Sequence, residues 1–144
     1  MFEFKIPILF FLIIIGSGCS YLCNCNDSNF SIKPFSNNKE ILGIINQYKN
    51  LKTKKGHFNG GEWNDELDKW NGKLHNIMIK LGENLGKPDY KCSDIINFLG
   101  DPDEIKKDIE EEHLIYYWRG KHDYLYFICK NGFIQKSEWY YSYE

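Results

Sequence analysis

The chain has 144 residues, the usual size of one domain. Its composition is 42% hydrophobic, 17% aromatic and 26% charged, which excludes collagen-like, low-complexity and wholly disordered chains. The formal net charge of −2 gives no overall basic field, so we predict no nucleic-acid partner.

The N-terminus predicts an export signal. The apolar run from Ile6 to Ile15 would make about 15 Å of helix, half the thickness of a bilayer core, which is too short for a stable span. The run instead fits the apolar core of a signal peptide, and small residues follow it. Ser17, Gly18 and Cys19 resemble the end of a bacterial lipoprotein signal, in which the cysteine sulfur is acylated. Gly16 departs from that pattern, since an apolar residue is usual there.

We therefore predict a signal peptide over residues 1–19, lipidation of Cys19, a flexible linker over 20–38 and one small domain over 39–144. The predicted location is outside the cytoplasm, with the chain held at a membrane. The alternatives are cleavage without lipid, which gives a freely secreted protein, and an N-terminus that stays as an uncleaved anchor.

The cysteines suggest disulfides in an exported chain. Four remain once Cys19 carries lipid, namely Cys23, Cys25, Cys92 and Cys129. Two disulfides are possible among them. Cys23 and Cys25 are too close in sequence to pair with each other without strain, so each either reaches Cys92 or Cys129 or stays reduced. The alternative is that Cys92 and Cys129 are small buried apolar residues. We predict no metal site, because no second close Cys/His pair completes a tetrahedral set.

Helical spacing dominates the first half of the predicted domain. A stripe begins after Asn38, with Ile41, Ile44, Ile45, Tyr48 and Leu51 as its members. A long helix is predicted from Asp65 to Leu85, with Asn64 as its N-cap and Gly86 and Pro88 beyond its end. A short helix is predicted over Asp94 to Leu99, stopped by Gly100.

Strand-like segments fill the C-terminal part. Leu114 to Trp118, Tyr124 to Cys129 and Phe133 to Tyr143 predict three strands, with a hairpin turn at Asn131-Gly132. The charged segment Ile105 to Glu112 is ambiguous. The predicted fold class is α+β, with two or three helices on one face of a three-stranded antiparallel C-terminal meander.

Three segments resemble a family of small exported proteins. They are Gly60-Gly61-Glu62-Trp63 with the following helix, Leu99-Gly100-Asp101-Pro102-Asp103, and the specific WRGxHDYLYF-type motif from Trp118 to Phe127. More distantly, the Leu-Gly-x-Pro turn before a meander is similar to SmpA/BamE-like and β-lactamase-inhibitor-like lipoprotein modules. The first resemblance implies no function. The second implies a binding fold without enzymatic activity, and it does not specify a partner.

The His122-Asp123 dipeptide is the main candidate for catalysis. It is similar to the dipeptide of metal-dependent phosphohydrolases, but here it falls in a predicted turn. The favoured interpretation is structural, with Arg119 and Asp123 paired across the turn and His122 bonded to a turn carbonyl. We predict no catalytic residues and no cofactor.

The aromatic residues predict a binding surface. Alternation in the second strand separates Leu125, Phe127 and Cys129 from Tyr124, Tyr126 and Ile128. In the third strand it places Phe133, Trp139, Tyr141 and Tyr143 opposite Ile134. A Tyr-rich open face suits contact with a partner, unless residues 39–55 cover it. The full candidate surface is Trp118, Arg119, His122, Asp123, Tyr124, Tyr126 and Trp139.

Three functional hypotheses follow. The first is a membrane-anchored, non-catalytic interaction or envelope-structural module with an unidentified protein partner. The second is a soluble secreted domain that binds a peptide or carbohydrate. The third is a hydrolase that uses His122 and Asp123.

Overall fold

The computed structural model describes residues 39–142, and the predicted signal peptide, linker, Cys19, Cys23 and Cys25 lie outside this range. The elements within it are α1 (Lys39–Lys52), a 3₁₀ turn (His57–Asn59), α2 (Lys73–Leu85), α3 (Cys92–Leu99), β1 (Glu104–Lys107), β2 (Glu112–Arg119), β3 (Asp123–Lys130) and β4 (Phe133–Tyr141). The strands form one antiparallel sheet in the order β1-β2-β3-β4. The α+β class is confirmed, but the described sheet has four strands rather than three.

The helices bury their apolar faces on one side of this sheet. All five residues of the predicted α1 stripe are buried, and α1 packs against α2 and α3. α2 in turn packs on β3 and β4. Its Gly82 allows a close approach, because a Cβ there would lie 3.0 Å from Leu125 Cδ1 and 3.1 Å from Ser137 Oγ. The core therefore lies between the helix layer and one sheet face.

The long helix predicted from Asp65 begins eight residues later, at Lys73, so this prediction is wrong in its first third. Asn71 adopts a left-handed conformation with φ of 59°, which a right-handed helix cannot accommodate. The preceding residues form turns, in which the Asn64 carbonyl accepts the N–H groups of Leu67 and Asp68 at 3.0 and 2.7 Å.

All of β1 but its first residue falls in the segment Ile105 to Glu112, which was ambiguous from the sequence. The four residues of β1 carry mostly exposed side chains, including Ile105 at 44%, so hydrophobic alternation gives no signal. Backbone pairing with β2 defines this strand instead, from Glu104 opposite Ile115 to Lys107 opposite Glu112.

The predicted faces of β4 are wrong at its beginning. Ile134 is opposite Cys129, whereas Lys136 is opposite Ile128, so Gln135 is an extra residue in the strand. Such a bulge reverses the alternation. Ile134 is consequently fully buried in the core, on the same face as Trp139, whereas Phe133 is 39% exposed. Tyr143 lies beyond the described residues.

The hairpin turn between β3 and β4 is as predicted. Asn131 and Gly132 have φ of 53° and 80°, which matches the positive φ that tight hairpins need at both central positions. No helix within residues 39–142 has the length and apolar character needed to cross a bilayer.

Candidate binding cleft

The turn between β2 and β3 is closed by an ion pair. Arg119 Nε and Nη2 both lie 2.8 Å from Asp123 Oδ2, which confirms the pairing predicted from the sequence. The other carboxylate oxygen of Asp123 accepts the N–H of Ser142 at 3.3 Å. Asp123 is buried and Arg119 is half-buried. The pair therefore fixes the turn and ties it to the end of β4.

Aromatic rings from three segments surround the Arg119 guanidinium. Its carbon lies 4.5 Å from the ring centroid of Trp118, 5.5 Å from that of Phe58 and 5.6 Å from that of Trp70. A guanidinium at these distances is attracted by the electron-rich ring faces. Arg119 thus joins the sheet to the loop that precedes α2.

A buried histidine lies beneath this arrangement. The His75 ring stacks on Trp118 at 4.2 Å between centroids and lies 4.8 Å from Trp70 and 5.2 Å from Trp139. Its Nδ1 accepts the N–H of Asn71 at 3.3 Å, so the neutral ring carries its proton on Nε2. Burial, and secondly the charge of Arg119, lower the pKa of His75 below its usual value. The ring is therefore neutral at pH 7.

An open cleft lies above the ion pair. It has a volume of about 470 Å³ and is lined by Phe58, Trp70, Arg119, His122, Asp123, Tyr141 and Ser142. The Trp70 side chain is 48% exposed and the Phe58 side chain 37% exposed. The Trp70 ring also lies 5.0 Å from that of Tyr141. The cleft has the size of a small-ligand site and combines ring surface with a few fixed polar groups.

Polar contacts position the loop that supplies Phe58 and Trp70. The buried carboxylate of Asp68 accepts the N–H groups of His57 and Asn64 at 2.9 and 2.8 Å. The indole N–H of Trp118 donates to the Leu67 carbonyl at 2.7 Å. Phe58 lies in a stretch without a hydrophobic period, and the apolar spacing of Trp70 placed it in the predicted helix. Neither residue was therefore predicted to belong to the site. The Gly60-Gly61 pair was the available signal of an irregular, tightly held loop.

The predicted surface divides into two. Trp118, Arg119, His122 and Asp123 meet at the cleft, where the first is buried beneath the lining and the others line it. Trp139 lies in the ring cluster below, parallel to Tyr141 at 5.4 Å.

Tyr124 and Tyr126 lie on the opposite sheet face. Tyr124 stacks on Tyr140 at 4.8 Å, and the Tyr126 hydroxyl donates to Glu138 at 2.6 Å. The Tyr117 hydroxyl similarly donates to Glu104. Since α1 lies in the helix layer on the other side, the alternative that residues 39–55 cover these tyrosines is wrong for the helix itself.

His122 and Asp123 have different surroundings. The His122 side chain is exposed, whereas the Asp123 carboxylate is held by Arg119 and Ser142. Between residues 39 and 142, no three His, Cys, Asp or Glu side chains are grouped so that they could hold a metal ion.

Comparisons with known proteins identify no relative: no family model, curated protein or solved structure matches this chain. The resemblances to small exported proteins and to SmpA/BamE-like modules therefore stay predictions.

Proposed function

We propose that the chain is an exported, lipid-anchored binding module without catalytic activity, and that its cleft holds one unit of a neutral carbohydrate. The observation that most supports this proposal is the open cleft of about 470 Å³, in which the exposed Trp70 indole lies beside the Arg119–Asp123 pair.

The hydrogen bonds that Asp123 already makes favour binding over catalysis. A general base needs a free lone pair within reach of a proton on the substrate. Asp123 instead directs one carboxylate oxygen to Arg119 and the other to the Ser142 N–H. This carboxylate is fixed as a structural acceptor, so the His122-Asp123 dipeptide is poorly suited to hydrolysis.

The charge balance of the cleft favours a neutral ligand. Arg119 already occupies the position over the Trp70 and Trp118 rings that a cationic ligand would take. Its charge is in turn compensated by Asp123 at 2.8 Å. A cationic ligand would be repelled by Arg119 and an anionic ligand by Asp123. The cleft therefore attracts neither kind of ligand strongly.

Ring surface and polar groups together favour a sugar. The C–H face of a pyranose stacks on an indole, and its hydroxyl groups both donate and accept hydrogen bonds. Trp70 offers the ring, and the Ser142 hydroxyl, in the same lining, is a group that can both donate and accept hydrogen bonds. The Tyr-rich sheet face is less suitable, because the Tyr117 and Tyr126 hydroxyls are bonded to glutamates.

The cleft is tested by titrating the full chain with neutral oligosaccharides of glucose, mannose and N-acetylglucosamine and following tryptophan emission. Trp70→Ala should weaken binding by about 30-fold, the effect of losing a 2 kcal/mol contact. The matched control is Trp63→Ala, whose indole is 55% exposed and lies outside the cleft lining. It should change affinity by less than about threefold. Binding of neutral peptides in place of every sugar, or equal losses in both variants, would contradict the proposal.

Anchoring is tested separately by metabolic labelling with an alkyne-bearing fatty acid. The wild-type chain should carry the label and partition into the detergent phase, and Cys19→Ser should abolish both. Firm attachment requires more than one acyl chain, because a single chain binds membranes only marginally. Unchanged membrane association of Cys19→Ser would contradict the lipoprotein proposal and favour an uncleaved anchor.

A further inference from the structure

Cys92 and Cys129 are brought together by backbone pairing around the β3–β4 hairpin. Cys92 is the first residue of α3, and its N–H donates to the Gly132 carbonyl at 3.0 Å. The Ile134 N–H donates to the Tyr90 carbonyl at 2.9 Å, so residues 90–92 run along the start of β4. Ile134 is opposite Cys129 on β3. The pairing thus places α3 beside the strand that carries Cys129.

The two side chains are neighbours. Both thiols are reduced, and they lie close enough for each to shift the pKa of the other. Cys129 is buried in the core and is 4% exposed. Cys92 is half-buried and packs against the edge of that core. A disulfide requires this same neighbourhood, with the sulfurs drawn closer, to about 2.05 Å.

We propose that Cys92 and Cys129 are an oxidisable pair that forms one intramolecular disulfide, with an external disulfide as the oxidant. The Cys92 thiolate attacks a sulfur of the external disulfide, forms a mixed disulfide and releases the first external thiol. The Cys129 thiolate then attacks the Cys92 sulfur and releases the second. Two protein thiols and one external disulfide thus become one internal disulfide and two external thiols, and the protein loses two protons and two electrons to the oxidant.

The surroundings make Cys92 the attacking thiol. It is the more exposed of the two, whereas Cys129 is buried. Burial raises the pKa of both thiols, and the nearby Glu112 carboxylate raises both further. Asp94 also raises the pKa of Cys92, whereas the neighbouring Cys129 lowers it. The reaction should therefore be slow at neutral pH and accelerate in alkali, since the thiolate is the nucleophile.

The pairing itself is independent of the proposed function, and only its occurrence in the cell depends on the proposed export. In the test, the reduced full chain is incubated with glutathione disulfide, and remaining thiols are blocked with N-ethylmaleimide. Digestion without reduction should then yield a peptide joining Cys92 to Cys129, lighter by two hydrogen atoms than the separate peptides. The double variant Cys23→Ser/Cys25→Ser is the matched control and should form the same bond at the same rate.

A second readout is the melting temperature. The bond closes a loop of about 37 residues, so the oxidised chain should melt at least about 10 °C above the reduced one. In Cys92→Ser this difference should vanish, and the wild-type peptide map decides the pairing if that variant does not fold. Alkylation of both thiols after oxidation, or a bond from either to Cys23 or Cys25, would overturn the proposal. A chain that forms the bond in vitro but stays in the cytoplasm would contradict the export proposal alone.

Discussion

Removal of the Asp123 carboxylate should destabilise the domain strongly, because it leaves a half-buried Arg119 without its partner. The variant Asp123→Ala loses the charge-assisted hydrogen bond from Arg119 Nε, the ion-pair contact of Nη2 at the same 2.8 Å, and the acceptor of the Ser142 N–H. Hydrogen bonds to charged groups contribute about 1.5–3 kcal/mol each, and breaking a fully buried ion pair costs about 3–5 kcal/mol. The Arg119 side chain keeps 25% exposure, so water compensates part of its loss. We expect the free energy of unfolding to fall by about 2–4 kcal/mol.

Urea denaturation followed by far-ultraviolet circular dichroism measures this loss. Lys121→Ala is the matched control, since this residue lies in the same turn with an exposed side chain and should cost less than about 0.5 kcal/mol. A double-mutant cycle with Arg119→Met should give a coupling free energy of about 1–3 kcal/mol. If Asp123→Ala unfolds within about 0.5 kcal/mol of the wild type, the ion pair does not hold the turn.

Three further results are expected. Leu74→Ala should lower the free energy of unfolding by about 2–5 kcal/mol, because Leu74 is 5% exposed on the α2 face, whereas exposed Lys73→Ala should cost under about 0.5 kcal/mol by the same denaturation assay. The pKa of His75 is lower in the folded chain than in the unfolded one, so the unfolded chain takes up the proton first as the pH falls. The free energy of unfolding should therefore decline below about pH 6.5, by at most about 1.4 kcal/mol per pH unit. His75→Phe should flatten that decline, and an unchanged slope in denaturation curves from pH 7.5 to 5 would contradict it. Nitration of the full chain, mapped by mass spectrometry, should modify half-exposed Tyr124 and spare Tyr48, which is 2% exposed, and protection of Tyr124 would show that its face is covered.

The sequence predicted an element correctly where the local structure restricts which residue types can occur. Burial of one face requires apolar residues at helical spacing in α1, and positive φ favours Asn and Gly at the Asn131-Gly132 turn. The prediction of where α2 begins failed. The apolar spacing of Leu67 and Trp70 continues into α2, but Asn71 between them and the helix has a left-handed backbone, which periodicity does not reveal. A bulge at Gln135 similarly shifted the faces of β4.

The cleft was predicted only in part for a related reason. Arg119 and Asp123 are four residues apart in a turn, so their pairing could be argued from the sequence. Phe58 and Trp70 come from a loop that Asp68 holds by hydrogen bonds to backbone N–H groups. Such contacts depend on tertiary geometry and leave no spacing in the sequence. The split between cleft and Tyr-rich face likewise required the observed register.

The most direct test of the proposed binding function is a titration of the ¹⁵N-labelled full chain with a neutral trisaccharide, followed through indole N–H signals in NMR spectra. The four tryptophans provide four such signals. The Trp70 signal should move most, because its exposed ring lines the cleft. The Trp63 signal should not shift, because Trp63 lies outside the cleft lining. The Trp118 signal should shift little, since its N–H is bonded to the Leu67 carbonyl. Saturable movement of Trp70 would support the account, whereas movement of Trp63 alone, or of no indole signal with any neutral sugar, would contradict it.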